Sequence, residues 1–351
     1  MKLSIISFTT KGALLSEKIE NLLSGSDLEC TLYSACSFVD SQNIQKTNEP
    51  LSEWCQKRFE EKSAILFISA LGIAVRGISS CVKDKLKDVP VMVVDENAGF
   101  VIPVLSGHVG GGNELSEKIA SLLNAKAVIT TATDINNKFA VDLFAKKNDL
   151  YISDKSGIAV VSAKILEGID VKISVDDSVL FDKDSLPEGL SLVHYDKDEF
   201  YDVIVTKDDS KHNASLVLLT KDYILGIGCK KGKSFAEIEE FVKEFLKDNS
   251  IDINRVSRIA SIDLKKDEEG IKEFSEKYGI PFVTFSAEEL NSLHGDFSSS
   301  DFVSKVTGVD NVSERAALFA SGCNGKLIVE KTVSDGKTLA LAEKETNILF
   351  E

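Results

Sequence analysis

Apolar positions along this chain fall into two alternating rhythms: short β-rich runs that fit strands, and longer stretches with an apolar residue every three to four positions that fit one face of a helix. Lys2 to Phe8 reads as a strand, Ala13 to Leu23 as a helix and Glu29 to Ser34 as a second strand. A helix over Leu51 to Glu61 leads into a buried strand, Ala64 to Ala70, and strands follow at Val91 to Val94 and Phe100 to Leu105. From Asn113, Leu115, Ile119, Leu122 and Leu123 share one helical face, and Ala127 to Thr131 closes the region as a strand. This alternation predicts an open, mostly parallel α/β domain over residues 1–135.

The pattern loosens after Thr133. A helix around Lys138 to Lys147 and short strands at Leu150–Ile152, Ile158–Val161 and Val171–Val175 make a small middle α/β region, residues 136–213. Between Asp176 and Asp202 nine acidic residues face two lysines, which reads as a solvated, loop-rich surface. From 214 to 351 a C-terminal α/β domain is expected. Its strands are Leu216–Leu219, Tyr223–Ile227, Arg258–Ile262, Pro281–Phe285, Leu327–Glu330 and Thr338–Ala342; its helices cover Phe235–Lys247, Glu268–Tyr278 and Glu314–Ser321. Ser234 with Glu237, and Ser286 with Glu289, have capping-box spacing; Ser313 is the expected cap of the last helix, and Gly322 its stop. One internal echo stands out: LSEKIENLLS from Leu15 and LSEKIASLLN from Leu115 agree at seven of ten positions. It marks either two equivalent strand-helix units or merely a shared amphipathic composition.

Composition narrows the function. At 351 residues the chain is long enough for two or three domains, and its formal charge of −15 argues against a dedicated nucleic-acid or membrane-surface binder. A small anionic ligand needs only a local basic pocket and is not excluded. No apolar run approaches the length of a membrane span, and the first residues read as a strand rather than a leader. The six cysteines show no C-x-x-C or His/Cys cluster, as in free thiols of a reducing cytosol, so a cytoplasmic location is expected.

Three strand-to-helix turns carry polar chemistry. In Ser106-Gly107-His108-Val109-Gly110-Gly111-Gly112-Asn113-Glu114, glycines let backbone N–H groups approach a ligand at a helix N-terminus, and His108 supplies an imidazole for proton transfer. Glu114 is a second candidate acid-base group, or simply complements the helix dipole. Gly72 and Arg76 lie on a second turn, where one of only five arginines offers a bidentate carboxylate donor. Thr131 and Asp134 end a third. Because ligands gather at the carboxyl ends of strands in open α/β sheets, the three turns are expected to converge, with Ser106, Gly107, Gly110, Gly111 and Asn113 also in contact with substrate. The segment Gly226-Ile-Gly228-Cys-Lys230-Lys231-Gly-Lys233-Ser234 fails the spacing of a nucleotide-binding P-loop. It reads instead as an anion clamp through Gly228, Lys230, Lys231 and Lys233, whose lysines are expected to lower the Cys229 pKa. His194, His212 and His294 are expected in solvated loops.

These segments together resemble the CbiG family, the cobalt-precorrin-5A hydrolases of anaerobic cobalamin synthesis. The resemblance rests on SALGIAVRGIS from Ser69, VMVVDENAGFVIPVLSGHVGGGNELSEKIA from Val91, VITTATD from Val128, LGIGCKKGKS from Leu225, IASIDLKKDEEGI from Ile259 and FSAEEL from Phe285. It implies a macrocyclic polycarboxylate substrate carrying a ring-A acetate δ-lactone. The lactone is opened by water and a two-carbon fragment leaves as acetaldehyde, giving cobalt-precorrin-5B. It implies no cofactor, since the cobalt belongs to the substrate, and no metal site; transient contact with neighbouring pathway enzymes is a further expectation. On this reading His108, helped or replaced by Glu114, activates the water. The competing expectation is a non-catalytic carrier of a corrinoid intermediate.

Overall fold

A computed structural model describes residues 1–350 apart from 85, 133–135, 137, 183–185, 197, 296 and 299–306. The chain divides into two compact units, Met1–Lys138 and Phe139–Glu351.

The first unit contains β1 (Lys2–Ser7), α1 (Thr10–Leu23), β2 (Glu29–Ser34), β3 (Ile44–Lys46), α2 (Leu51–Glu60), β4 (Ala64–Ile68), α3 (Leu71–Ile78), β5 (Val91–Val94), β6 (Phe100–Leu105), α4 (Gly112–Leu123) and β7 (Lys126–Ala127). They form a seven-stranded sheet in the order β3-β2-β1-β4-β5-β6-β7. Strands β4 and β5 are unbroken apolar runs because helices cover both faces of the sheet. On one face Leu3, Ile5, Leu66 and Met92 pack against α1 and α4; on the other Ile65, Phe67, Val91 and Val93 pack against α2 and α3.

One pairing reverses direction: β5 and β6 are antiparallel, with Val94 opposite Val101 and Val91 opposite Leu105. The connection of five residues between them is too short for a parallel crossover, which needs a dozen or so. Asp95 closes the hairpin by accepting from the N–H groups of Asn97, Gly99 and Phe100. The repeated LSEKI helices are α1 and α4. Each follows a strand and returns to a parallel neighbour, as β1-α1-β2 and β6-α4-β7, and each buries the same leucine, serine and isoleucine positions in one shared core. The strand expected at Ala127–Thr131 is shorter than its sequence suggested, pairing only through Lys126 and Ala127.

The second unit opens with α5 (Val141–Lys147), β8 (Leu150–Ile152), α6 (Ser156–Leu166), β9 (Val171–Val175), β10 (Leu180–Phe181), β11 (Leu190–Leu192), β12 (Tyr201–Thr206) and β13 (Ala214–Thr220). It continues with β14 (Tyr223–Cys229), α7 (Phe235–Asp248), β15 (Val256–Ile262), α8 (Glu269–Tyr278), β16 (Phe282–Phe285), α9 (Ala287–Asn291), α10 (Val312–Ser321), β17 (Lys326–Ser334), β18 (Lys337–Glu343) and β19 (Asn347–Ile348). Two five-stranded sheets result, β11-β9-β12-β13-β8 and β16-β15-β14-β18-β17, while β10 pairs with β19. The strand beginning at Ala214 therefore pairs within the middle sheet. A buried network joins the two sheets: the Asp222 carboxylate, fully buried between β13 and β14, accepts from Arg255 Nη2 at 2.6 Å and from Thr220 and Thr346, while Arg255 Nε donates to Thr220 O at 2.6 Å.

Three expectations are corrected here. Ile158–Val161 is helical, not a strand: Gly157, Ile158, Val161 and Ile165 are buried at helical spacing, with Gly157 pressed close to Ser215 O. The last helix is capped by Asn311, whose side chain accepts from Glu314 N at 3.0 Å, rather than by Ser313. Asp202, at the end of the acidic stretch, is buried in β12 and accepts from Lys164 Nζ at 2.6 Å and Lys172 N at 3.0 Å. Both predicted capping boxes are present, at Ser234–Glu237 and Ser286–Glu289.

Candidate functional site

The Ser106–Glu114 segment links the end of β6 to the start of α4, and most of its backbone hydrogen bonds are turned inward. Gly111 N donates to His108 O at 3.0 Å, Gly112 N to Ser106 O at 3.1 Å and Asn113 N to Gly107 O at 2.7 Å. The turn thus satisfies its own first helical N–H groups, contrary to the expectation of an open row of donors. Among the described residues, Gly107 and Gly110 make no backbone hydrogen bond through their N–H groups. Gly111 caps α4 at φ +85°, a left-handed conformation that costs glycine least. Asn113, buried at the helix start, donates from Nδ2 to Thr131 Oγ1 at 3.0 Å and so fixes the segment after β7 beside the turn. His108 is half-buried; Glu114 is exposed in the first helical turn, where its charge complements the helix dipole. Asp134 lies outside the described residues.

Strand directions then decide which residues meet. Leu105, leading into Ser106, lies opposite Val91 at the beginning of β5, whereas Ile68, leading into the Gly72–Arg76 turn, lies beside Val94 at its end. The two turns therefore sit at opposite ends of the sheet. They also belong to opposite faces, since α3 packs with α2 and α4 packs with α1. Ser106, Gly107, His108, Gly110, Gly111, Asn113 and Thr131 form one cluster. Gly72 and Arg76 form another, in which the guanidinium folds back to within 3.4 Å of where a Gly72 side chain would begin. The expected convergence of three turns reduces to two. The short β5–β6 connection was the sequence signal that could have shown this, because it forces β6 to run backwards.

The Gly228–Lys233 clamp belongs to the second unit and is largely occupied by that unit's own carboxylates. Gly232 N donates to Glu268 Oε1 at 2.7 Å, and Lys265 Nζ reaches Glu268 Oε2 at 2.7 Å. Although burial opposes it, these partners hold the Glu268 carboxyl below its ordinary range. Lys233 Nζ is shared between Asp335 and Glu237, each at 2.7 Å, which raises its pKa and leaves it unsuited to a ligand carboxylate. Lys230 and Lys231 are exposed and make no ion pair among the described residues. A Cβ added to Gly228 would stand 2.6 Å from Thr338 Oγ1, and one added to Gly226 would stand 1.9 Å from Ser313 O of α10. These glycines answer to packing rather than to a ligand. Cys229 departs from expectation as well: burial pushes its thiol up, outweighing the pull of Lys265.

Sequence reasoning also missed His212. Its side chain is 4% exposed, not solvated, with Nδ1 3.1 Å from Tyr195 Oη and Nε2 3.0 Å from Asp208 O. It lines a cavity of about 220 Å³ with Asp176, Asp177 and Thr206 beyond the ends of β9 and β12. Among the described residues no three His, Cys, Asp or Glu side chains are placed to hold a metal ion, and no helix is long and apolar enough to cross a membrane.

Comparison with known proteins bears on the whole chain. Residues 53–134 match the family described as cobalamin synthesis G N-terminal, and residues 223–342 match cobalamin synthesis G C-terminus. The chain is 31% identical to the cobalt-precorrin-5A hydrolase of Priestia megaterium, over 97% of this chain and 94% of that protein. It is 32% identical to the probable cobalt-precorrin-5A hydrolase of Methanocaldococcus jannaschii, over 97% and 99%. The cobalt-precorrin-5A hydrolase of Salmonella typhimurium is also 32% identical, over 82% of this chain and 83% of that protein. On this near-full-length agreement, the chain belongs to the cobalamin synthesis G (CbiG) family.

Proposed function

We propose that this protein is a cobalt-precorrin-5A hydrolase, opening the ring-A δ-lactone with water and releasing the two-carbon fragment as acetaldehyde to give cobalt-precorrin-5B. The observation that carries the reading is the near-full-length likeness to proteins bearing that name, spanning both units. The His108 turn supplies chemistry that suits it. A half-buried imidazole beside a helix N-terminus can take a proton from water as it attacks the lactone carbonyl. The same imidazolium then returns that proton to the departing ring oxygen. The N–H groups of Gly107 and Gly110, not spent within the turn, are available to the oxyanion that forms. Glu114, six residues further on in the first turn of α4, is the alternative base.

Arg76 lies at the opposite end and on the opposite face of the sheet from the His108 turn and is left out of that site; Lys230 and Lys231 are the members of the second unit's clamp that make no ion pair among the described residues. The macrocycle is expected to bind without any cofactor, its cobalt entering as part of the substrate, and transient contact with neighbouring pathway enzymes fits its handling of an intermediate. The test is anaerobic incubation of the purified full chain with cobalt-precorrin-5A, with mass spectrometry of the corrinoid and an assay for acetaldehyde. Loss of two carbons without any added protein is expected, and His108→Ala should slow it at least 100-fold. Unchanged substrate bound tightly by the wild-type protein would overturn the hydrolase reading and favour the carrier.

A further inference from the structure

Seven described residues other than glycine have positive φ: Lys62, Ala98, Ser106, Asn124, Asp149, Ser250 and Asp335. Lys62, Asn124, Asp149 and Ser250 close helix ends, where a left-handed residue completes the last turn, and Ala98 and Asp335 lie in hairpins. Ser106 opens a turn instead, leaving β6 at φ +52°. It is also the one member of this group with a buried polar atom lacking a hydrogen-bond partner, its Oγ. Neither feature helps the fold. A glycine would adopt the same backbone freely and would leave no hydroxyl unpaired. Strain and an orphaned buried group at the same residue are the physical signature of a functional position.

The surrounding glycines explain how the hydroxyl is kept in this state. A Cβ on Gly110 would lie 2.4 Å from Ser106 O and 2.5 Å from Ser106 Cβ, so only glycine lets the turn fold down onto Ser106 and seal it. Gly112 N holds the Ser106 carbonyl at 3.1 Å. Immediately beyond Oγ in sequence come the uncommitted N–H of Gly107 and the imidazole of His108.

We propose that Ser106 is a catalytic hydroxyl. When substrate binds, the Gly107–Gly111 arc lifts from Ser106, and Oγ–H, alongside Gly107 N–H, donates to the lactone carbonyl oxygen as negative charge develops there. The bond from Oγ–H strengthens as negative charge develops on the carbonyl oxygen, and that increment over its bond to the neutral carbonyl is what raises kcat. The inference rests on the lactone-opening reading and deepens it, assigning to the Ser106 side chain the contact on the reacting oxygen.

Ser106→Gly and Ser106→Ala in the full-length protein test it. The first removes both the strain and the hydroxyl, the second only the hydroxyl. Unfolding followed by the fluorescence of Trp54, the single tryptophan and a buried residue of the same unit, should shift upward by about 3–5 °C in Ser106→Gly. With cobalt-precorrin-5A, kcat should fall about 100- to 1,000-fold in both variants while KM changes less than about threefold. Turnover within about threefold of wild type in either variant would overturn the proposal. So would a loss of thermal stability in Ser106→Gly, because the hydroxyl would then be holding the turn together. Wild type that fails to open the lactone in the parallel reaction refutes the hydrolase reading and this inference with it, whereas active wild type beside active variants refutes the inference alone.

Discussion

Replacing Gly226 by alanine separates a packing role from a ligand role for the glycine-rich segment of the second unit. Gly226 is buried in β14, between β15 and β18, with α10 crossing over it. An added methyl carbon would stand 1.9 Å from Ser313 O and 2.9 Å from Ala317 Cβ, far inside any real contact distance. Both obstacles belong to a helix whose Ala316 and Ala317 are fully buried, so no flexible side chain can turn away. The helix must retreat by about 1 Å, and a gap of that size forfeits a quarter to a half of each dispersion contact along the interface. Overpacking of this kind costs about 1–3 kcal/mol, and the rigid neighbours on both sides place Gly226→Ala at the upper end, about 3 kcal/mol. Urea unfolding of the full chain by far-UV circular dichroism measures the loss, and hydrogen exchange locates it: amides of β14 and α10 should lose protection while those of β1 and β4 keep theirs. Gly232→Ala is the control, since its φ of +81° carries a penalty but nothing stands within 4 Å; it should cost about 1 kcal/mol. Stability of Gly226→Ala within 0.5 kcal/mol of wild type, as an order-of-magnitude threshold, together with weakened substrate binding would refute the packing argument and return the segment to ligand contact.

Two further outcomes follow from other parts of the second unit. Arg255→Met leaves the Asp222 carboxylate buried without its cation and should destabilise the protein by about 3–5 kcal/mol in the same urea experiment; a change below about 1 kcal/mol would show that the Thr220 and Thr346 hydroxyls satisfy it alone. The Glu237 carboxyl, held by Lys233 and by the backbone and hydroxyl of Ser234, is lowered to about 2. A depressed carboxyl lends stability that is complete above its unfolded pKa near 4.5 and is lost as pH falls through its folded value. The start of α7 should therefore stay capped at pH 4 and fray toward pH 2; a Glu237 side-chain NMR titration centred near 4.5 would contradict it.

Much of the architecture could be read from the chain because each element depends on local periodicity. The apolar stripe of α7 and its Ser234–Glu237 box specify a helix and its first residue wherever that helix packs. The LSEKI repeat specified two equal faces, which the fold then used against one core. Local pattern fails where a neighbour supplies the reason. Ile158 and Val161 suit a strand by composition, yet they line one face of α6 because Gly157 lets that helix approach β13. Lysines around Cys229 promised a lowered thiol pKa, but the energy of burial, invisible in sequence, is larger.

For the candidate site, the sequence alone offered the residues proposed for the chemistry: the His108 turn, its glycines and the helix start that follows them. What it could not supply was which turns share an end of the sheet. Residue type and periodicity are unchanged when a strand reverses, so they place Arg76 and His108 each after a strand without saying which way that strand runs. Tertiary pairing settled it. The hairpin held by Asp95 turns β6 antiparallel, carrying Ser106 and His108 to Thr131 and away from Arg76, and the carboxylate of Glu268, distant in sequence, fills the second unit's loop. Both outcomes depend on contacts between residues far apart along the chain, whose geometry exists only once the sheets have formed.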